Sequence, residues 1–202
     1  MTTAISRPYT GADVPQGPAE VWIKASLPAA NTPVALHTDG SLDGVTNTTA
    51  VFLGKLQDGA RWSYKPSLFE GKSDESPASF RRLIEEENFM ISGAWMENQS
   101  AVKLAAMMVG ATSVAVTGPP AGTLLTVGGL TTPPTFSVVL VWAQPESPSK
   151  FISVQIYKAL NSAGIETDIS KKKLGSSPFE FQAQSVDTRA VGDRLGAVFI
   201  YT

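Results

Sequence analysis

Residues 98–110 have the sequence Asn-Gln-Ser-Ala-Val-Lys-Leu-Ala-Ala-Met-Met-Val-Gly, the one stretch of the chain whose pattern indicates an α-helix. Asn98 is a favourable N-cap, because its side-chain oxygen can accept hydrogen bonds from the unpaired amides of the first turn. Gly110 is suited to end the helix, since glycine readily enters the left-handed conformation. Apolar residues at spacings of three and four form one stripe, Ala101, Val102, Leu104, Ala105, Met108 and Val109, with Gln99, Lys103 and Ala106 nearer the other face. A helix of about three turns is marginal alone, so the stripe is predicted to cover neighbouring strands.

Short segments rich in β-branched and aromatic residues surround this helix and predict strands. They are residues 20–25, 60–67, 89–96, 112–117, 136–142, 151–160, 165–170, 178–186 and 196–201. Residues 136–142 are continuously apolar, which is typical of a central strand. Residues 79–87 fit a helical stripe as well as a strand, and their surroundings favour a strand. The predicted fold is mainly β: a β-sandwich or partly closed barrel with one flanking α-helix.

Three segments have the composition of irregular structure. Residues 1–19 contain several Pro and Gly residues and are predicted to be an extended N-terminal arm before a single domain at 20–202. Residues 68–77, Leu-Phe-Glu-Gly-Lys-Ser-Asp-Glu-Ser-Pro, are predicted to be a long inter-strand loop, which is rarely idle in a compact domain. Residues 118–134 are bounded by Pro and Gly at both ends and are predicted to be an excursion from the core, with a small hairpin as one form of it.

Composition excludes several classes of function. The absence of cysteine rules out disulfides, thiolate catalysis and thiolate metal sites. A formal net charge of −2 argues against a surface that grips nucleic acid, because phosphate binding needs clustered Lys and Arg. No apolar run is long enough to cross a bilayer, and the polar N-terminal residues lack the charged and then apolar regions of a secretory signal. We therefore expect a protein that stays in the compartment where it is made and has no membrane partner.

The sequence contains no complete catalytic or metal-binding motif among those that its residues suggest. His37 is the sole histidine, and no Gly-x-Ser-x-Gly motif accompanies it. Residues 39–44 resemble the start of a calcium loop, but Ala50 stands where the bidentate Glu is required. Gly71-Lys72-Ser73 resembles the end of a phosphate loop, but Pro66 occupies the position of its first glycine. We therefore expect no catalytic residue, no cofactor and no metal.

Two charge triplets and four tryptophans are the remaining candidates. Glu85, Glu86 and Glu87, together with Lys171, Lys172 and Lys173, form either solvated turns or opposite charges that meet across a subunit boundary. Trp22, Trp62, Trp95 and Trp142 lie in strand-like apolar contexts, which favours core packing or a subunit interface over stacking on sugar rings.

The order of these segments resembles that of the major tail (tail tube) proteins of long-tailed bacteriophages. The resemblance covers about two thirds of the chain as an arrangement of elements: residues 51–54, 62–64, 68–77, 84–96, 99–109, 151–156, 179–183 and 192–201. It implies a β-sandwich with one helix on its flank, six copies of which form a ring, and rings that stack into a tube. The excursion at 118–134 is not part of the family's pattern.

The resemblance also implies the partners and the contact residues. The tube lumen would carry DNA and the tape-measure protein, other tail proteins such as the terminator would bind the tube, and the protein would reside in the virion tail after synthesis in the host cytoplasm. Contacts between rings would come from the arm at 1–19 and from the long loop, here Leu68, Phe69, Glu70, Lys72, Asp74 and Glu75. On the helix, Gln99 and Lys103 would face either solvent or the next subunit.

Physical considerations are compatible with a conduit but leave alternatives open. A conduit needs no catalytic residue, and a neutral or acidic balance lets DNA slide by like-charge repulsion. The first alternative is a β-sandwich carbohydrate-binding or decoration module with one or two exposed tryptophans. A hydrolase is the third class, which the single histidine and the lack of an intact motif disfavour.

Overall fold

Strands make up most of the computed structural model, which describes residues 19–29, 32–37, 41–43, 47–54, 56–73, 76–96, 100–108, 110–144, 147–167 and 175–201. Side chains are described at these positions except 71–73, 76–81, 143–144 and 147–149. The described part therefore leaves out residues 1–18 of the arm predicted at 1–19, Asp74, Glu75 and the triplet Lys171, Lys172 and Lys173. It also leaves out the side chain of Lys72.

Within the described residues the chain forms ten strands and one helix. The strands are β1 (Ala19–Ile23), β2 (Val51–Phe52), β3 (Leu56–Ser73), β4 (Ser76–Trp95), β5 (Thr112–Val116), β6 (Gly122–Thr126), β7 (Phe136–Gln144), β8 (Ser147–Asn161), β9 (Ser177–Ala183) and β10 (Gly196–Ile200). The helix, α1, spans Ala101–Met107.

Eight of these strands form one antiparallel sheet that branches at β8. The sheet runs β2-β1-β7-β8-β9-β4-β3, and β10 also pairs with β8. The edge of β8 that faces away from β7 pairs with two strands. Its residues Ile152 to Ile156 pair with β10, whereas Ala159 to Asn161 pair with β9. The remaining strands, β5 and β6, form a separate two-stranded sheet. The chain is thus mainly β with one short helix, consistent with a β-sandwich or partly closed barrel, as the sequence predicts.

The predicted central strand is confirmed as β7, which lies between β1 and β8. Its side chains are buried on both faces. Val138 and Leu140 belong to the main core, and Val139 and Val141 belong to a second cluster on the other face. Burial on both sides explains why this strand is continuously apolar instead of alternating.

The main core lies between the β1, β7 and β8 face of the sheet and the β4 and β9 strands, with α1 against it. Its largest fully buried side chains include Trp95, Phe179 and Phe181. The Phe179 and Phe181 rings are stacked, with centroids 5.1 Å apart. Buried Asn161 ties three elements together: its Nδ2 donates to the Met107 carbonyl at 3.3 Å, and its Oδ1 accepts from the Glu180 amide at 3.3 Å.

The helix is shorter than predicted and presents a different face. It follows Ser100 instead of Asn98, and Ala106 and Met107 are its buried residues. The predicted stripe is wrong in phase, because Val102 is 68% exposed. Of the two residues predicted to face solvent or a neighbouring subunit, Gln99 lies outside the described residues. Lys103 contacts its own chain: its Nζ donates to the Leu53 carbonyl at 3.2 Å and lies 5.6 Å from the centre of the Phe52 ring. The positive φ of Gly110, 75°, agrees with its predicted role just beyond the helix.

The prediction of a long inter-strand loop at 68–77 is wrong. Strand β3 continues to Ser73 and β4 begins at Ser76, so Leu68, Phe69, Glu70 and Lys72 are strand residues. Local composition was misleading because Gly71, Ser73 and the charged residues Glu70 and Lys72 suit a turn but also tolerate an exposed strand. The strand reading of 79–87 is confirmed, since these residues form the middle of β4.

Two further predictions are adjusted by the structure. The excursion includes a hairpin, but the hairpin begins earlier than predicted because β5 supplies its first strand and β6 its second. Residues 165–167, the described part of the strand predicted at 165–170, are not in a strand.

Candidate functional site

The candidate site is the hairpin formed by β3 and β4. Strand β4 pairs with β9 from Met90 to Trp95. Between Met90 and the tip of the hairpin, β3 is the only strand among the described residues that pairs with β4. At about 3.3 Å per residue, the segment from Ser76 to Phe89 extends roughly 40 Å beyond the sheet. From Arg82 to Glu87 every side chain of β4 is exposed, and within the described residues the ribbon meets the core only at its base, where Phe89 is buried.

Apolar side chains are exposed on both faces of this ribbon. Leu68 pairs with Ile84, and Phe69 pairs with Leu83. Directly paired residues share a face and successive residues alternate, so the two pairs point to opposite sides. Their exposed fractions are 51% for Leu68, 58% for Ile84, 53% for Phe69 and 44% for Leu83. Apolar groups are therefore left in water on both sides at the same level of the ribbon.

A register shift separates these apolar pairs from the base of the hairpin. Ser67 pairs with Glu86 whereas Leu68 pairs with Ile84, which leaves Glu85 as the extra residue of a bulge. A bulge increases the local twist and redirects the strand. The predicted acidic triplet is thus spread over the bulge, with Glu86 and Glu87 on opposite faces of β4.

Polar contacts on one face hold the two strands together. The Tyr64 hydroxyl donates to Glu87 Oε1 at 2.5 Å, and Arg82 Nε contacts Glu70 Oε1 at 3.1 Å. The hydrogen bond to Glu87 raises the pKa of Tyr64, with smaller contributions from desolvation and from the Glu87 charge. Of the predicted contact residues, Glu70 and Glu87 therefore make contacts within their own hairpin.

An aromatic groove lies at the base of the same face. Tyr64 and Trp62 both approach Phe89 edge to face, with ring centroids 6.4 and 6.3 Å apart respectively. The opposite wall comes from the segment before β10 and from β10 itself, and the open groove has a volume of about 400 Å³. Trp62 is 39% exposed whereas Trp95 is fully buried, and Trp22 and Trp142 are half-buried. Core packing thus accounts for Trp95 but not for Trp62.

The structure gives the other sequence candidates no shared site. His37 Nε2 lies 3.8 Å from Asp43 Oδ1 on an exposed surface, apart from the hairpin. Among the described residues, no three His, Asp or Glu side chains are placed to hold a metal ion together. None of the described helices is long and apolar enough to span a membrane. Residues 171–173, the predicted partners of the Glu triplet, lie outside the described part of the chain.

Sequence reasoning missed Leu83 and Ile84 as members of this site. A signal was present, since two adjacent apolar residues at 68–69 and two at 83–84 lie on either side of the polar, turn-like residues 70–77. Such a mirrored pair is expected when two strands of a hairpin place apolar residues opposite one another.

Comparison with known proteins adds no identification. No protein-family model matches the chain. No curated protein matches it either.

Proposed function

We propose that this protein is a structural subunit that assembles with copies of itself into stacked rings, as the tail-tube proteins of long-tailed bacteriophages do. The observation that carries the proposal is the β3–β4 ribbon with exposed apolar side chains on both faces. An isolated two-stranded hairpin is at best marginally stable in water. A covering layer supplied by other subunits would stabilise it.

The apolar pairs provide the driving force for such covering. Burial of a Leu, Ile or Phe side chain contributes about 1.5–3 kcal/mol when it is complete. Leu68, Ile84, Phe69 and Leu83 are each about half exposed, so part of that free energy is still available to an association. Because they point to both sides of the ribbon, one hairpin can contact two neighbours at once.

The edges of the ribbon favour a second copy of the chain as the partner. In the half of the ribbon nearer the sheet, β3 carries Arg61 and Lys65 whereas β4 carries Glu85 and Glu86; nearer the tip both strands are less uniform, with Glu70 and Lys72 on β3 and Arg81 and Arg82 on β4. In a ring, neighbouring copies point the same way, so the β3 edge of one copy meets the β4 edge of the next. These strands are then antiparallel, as they already are within each hairpin, and opposite charges approach one another.

The biological setting follows from the resemblance to tail-tube proteins. In that setting hexameric rings stack into the tail tube of a virion, with the tape-measure and terminator proteins as further partners. DNA passes through the lumen without specific binding, to which the formal net charge of −2 is suited. A tube requires no catalytic residue or cofactor from its subunits.

Substitution on the two faces of the ribbon tests this function. We expect Leu68→Thr with Ile84→Thr, and separately Phe69→Thr with Leu83→Thr, to abolish or strongly reduce rings and tubes in negative-stain micrographs and sedimentation velocity. Threonine keeps the strand preference while removing apolar area. Val191→Thr is the matched control, since Val191 is 88% exposed and lies outside the ribbon. A wild-type protein that stays monomeric at high concentration would overturn the proposal.

The aromatic groove supports a second candidate, a carbohydrate-binding module. Trp62 and Tyr64 are partly exposed beside the carboxylate of Glu87 and the guanidinium of Arg194, a combination that can stack on and hydrogen-bond to a sugar ring. Screening the protein on a glycan array separates the two functions. Binding that Trp62→Ala removes, in a protein that forms no rings, would favour the module.

A further inference from the structure

The β5–β6 hairpin is a second two-stranded ribbon, and the chain around it is uncharged. No Asp, Glu, Lys, Arg or His occurs between Lys103 and Glu146. Val114 pairs with Leu124 and Val116 with Gly122, so the apolar side chains of Val114, Val116 and Leu124 share one face. The exposed fractions of these residues are 54% for Val114, 45% for Val116 and 53% for Leu124.

The backbone edges of this hairpin are open as well. In the described part of the chain, β5 and β6 pair with each other and with no further strand. Proteins normally protect such edges with charged residues, proline or bulges. Here the strand residues Thr112 to Val116 and Gly122 to Thr126 include none of these devices. The groups best able to satisfy both edges are those of another β-strand.

The hairpin is also held in a defined place next to α1. Gly110, between the helix and β5, adopts a φ of 75°, and a Cβ at this position would overlap the Leu130 side chain. At the base of the hairpin, the Thr112 and Thr126 hydroxyls are 2.6 Å apart and hydrogen-bond across the strands. The base of the hairpin therefore lies close to the end of α1, with the chain before β5 packed against the chain after β6.

We infer that β6 of one copy pairs with β5 of the next copy, so that these hairpins form a continuous sheet around the ring. This inference rests on the proposed function, because copies in a ring point the same way and bring unlike edges together. Since β5 and β6 run antiparallel within a hairpin, the pairing between copies is antiparallel too. Neutral edges suit a second copy of themselves, because they bring no like charges face to face.

The lack of charge also favours a second copy of the chain over a lipid surface as the partner of this hairpin. Exposed valine and leucine could enter a membrane, but attachment to anionic headgroups needs nearby Lys or Arg. The hairpin and its flanks have none over the whole stretch from Leu104 to Pro145.

Cysteine cross-linking tests the pairing directly, because the natural chain contains no cysteine. The full chain is made as two single variants, Val114→Cys and Leu124→Cys, one with a tag that changes its mass. We expect oxidation of assembled mixtures to give the mixed dimer, and each variant alone to give little dimer. Val191→Cys mixed with Leu124→Cys is the control, since Val191 is exposed but lies outside the hairpin.

A charged variant provides the second measurement. Leu124→Lys on this exposed strand should leave thermal unfolding unchanged and raise the protein concentration needed for assembly about tenfold, with Val191→Lys as its control. Assembly without the mixed dimer would overturn the inference while leaving the proposed function standing, and so would dimers formed equally by each variant alone. Absence of any wild-type assembly would instead reject the proposed function. Binding of the unassembled protein to zwitterionic phosphatidylcholine vesicles, lost in Leu124→Lys, would identify a lipid surface and overturn the inference.

Discussion

At the scale of single residues, a small polar network fixes the segment that precedes β10. The Tyr157 hydroxyl donates to Asp193 Oδ1 at 2.5 Å, and Arg189 Nη1 lies 3.0 Å from Asp193 Oδ2. Arg189 also donates to the Pro28 carbonyl at 2.9 Å, and its guanidinium carbon lies 3.5 Å from the centre of the Tyr157 ring. This network positions one wall of the aromatic groove, because the segment continues through Arg194 into β10.

This network predicts a loss of stability at alkaline pH. Burial raises the pKa of Tyr157 from 10.0 to about 12, the hydrogen bond to Asp193 and its charge act in the same direction, and Arg189 opposes them. Because the folded pKa lies above the unfolded one, the stabilisation is fully present below pH 10 and is lost as pH rises towards 12. Tyr157→Phe should flatten the dependence of the urea unfolding midpoint on pH in this window.

Tyr64→Phe is the control for this experiment. The pKa of Tyr64 is raised as well, mainly by its hydrogen bond to Glu87, but the residue is 47% exposed and its contribution should be small. An equally steep pH dependence in Tyr157→Phe and in the natural protein would contradict the role given to Tyr157.

At the scale of elements, the helix acts as a support of the core through its last turn. Met107 is fully buried in the main core, whereas Val102 is 68% exposed on the same helix. Met107→Asp should lower the free energy of unfolding by more than about 3 kcal/mol, because it buries a charge without a partner. Val102→Asp should change it by less than about 0.5 kcal/mol. Chemical denaturation of both variants measures the difference, and similar losses in the two would show that the assigned face is wrong.

The elements also show how far sequence reasoning reached and where it stopped. Strand β7 was predictable because burial on both faces leaves a continuous apolar run. The helix face was not, because Ala101–Met107 is apolar at nearly every position and its periodicity does not select a side. The outer part of β3, from Leu68 to Ser73, was missed for the opposite reason, since its described side chains are exposed on both faces and no alternation marks it. Its apolar pairs are defined by cross-strand register, which one strand's sequence does not contain.

At the scale of the whole molecule, the opposite charges on the two edges of the β3–β4 ribbon predict how copies select one another. Arg61→Glu with Lys65→Glu should weaken ring formation strongly while leaving monomer unfolding nearly unchanged, because these residues are exposed. Adding Glu85→Lys and Glu86→Lys to the same chain should restore part of the assembly, which sedimentation velocity can follow. Failure of this restoration, with all variants folded, would mean that the edges do not meet.

The pairing of β1 with β7 has a consequence for the order of events during synthesis. Ala19–Ile23 forms its ladder with Val138–Trp142, so the first described strand must wait until more than half of the chain has left the ribosome. The β3–β4 ribbon needs only neighbouring sequence and can close much earlier. Nascent chains on one polysome would therefore expose finished ribbons before their cores have closed. Premature association is then a kinetic hazard for this topology, and a chaperone that holds the ribbon during synthesis should raise the yield of correctly folded subunits.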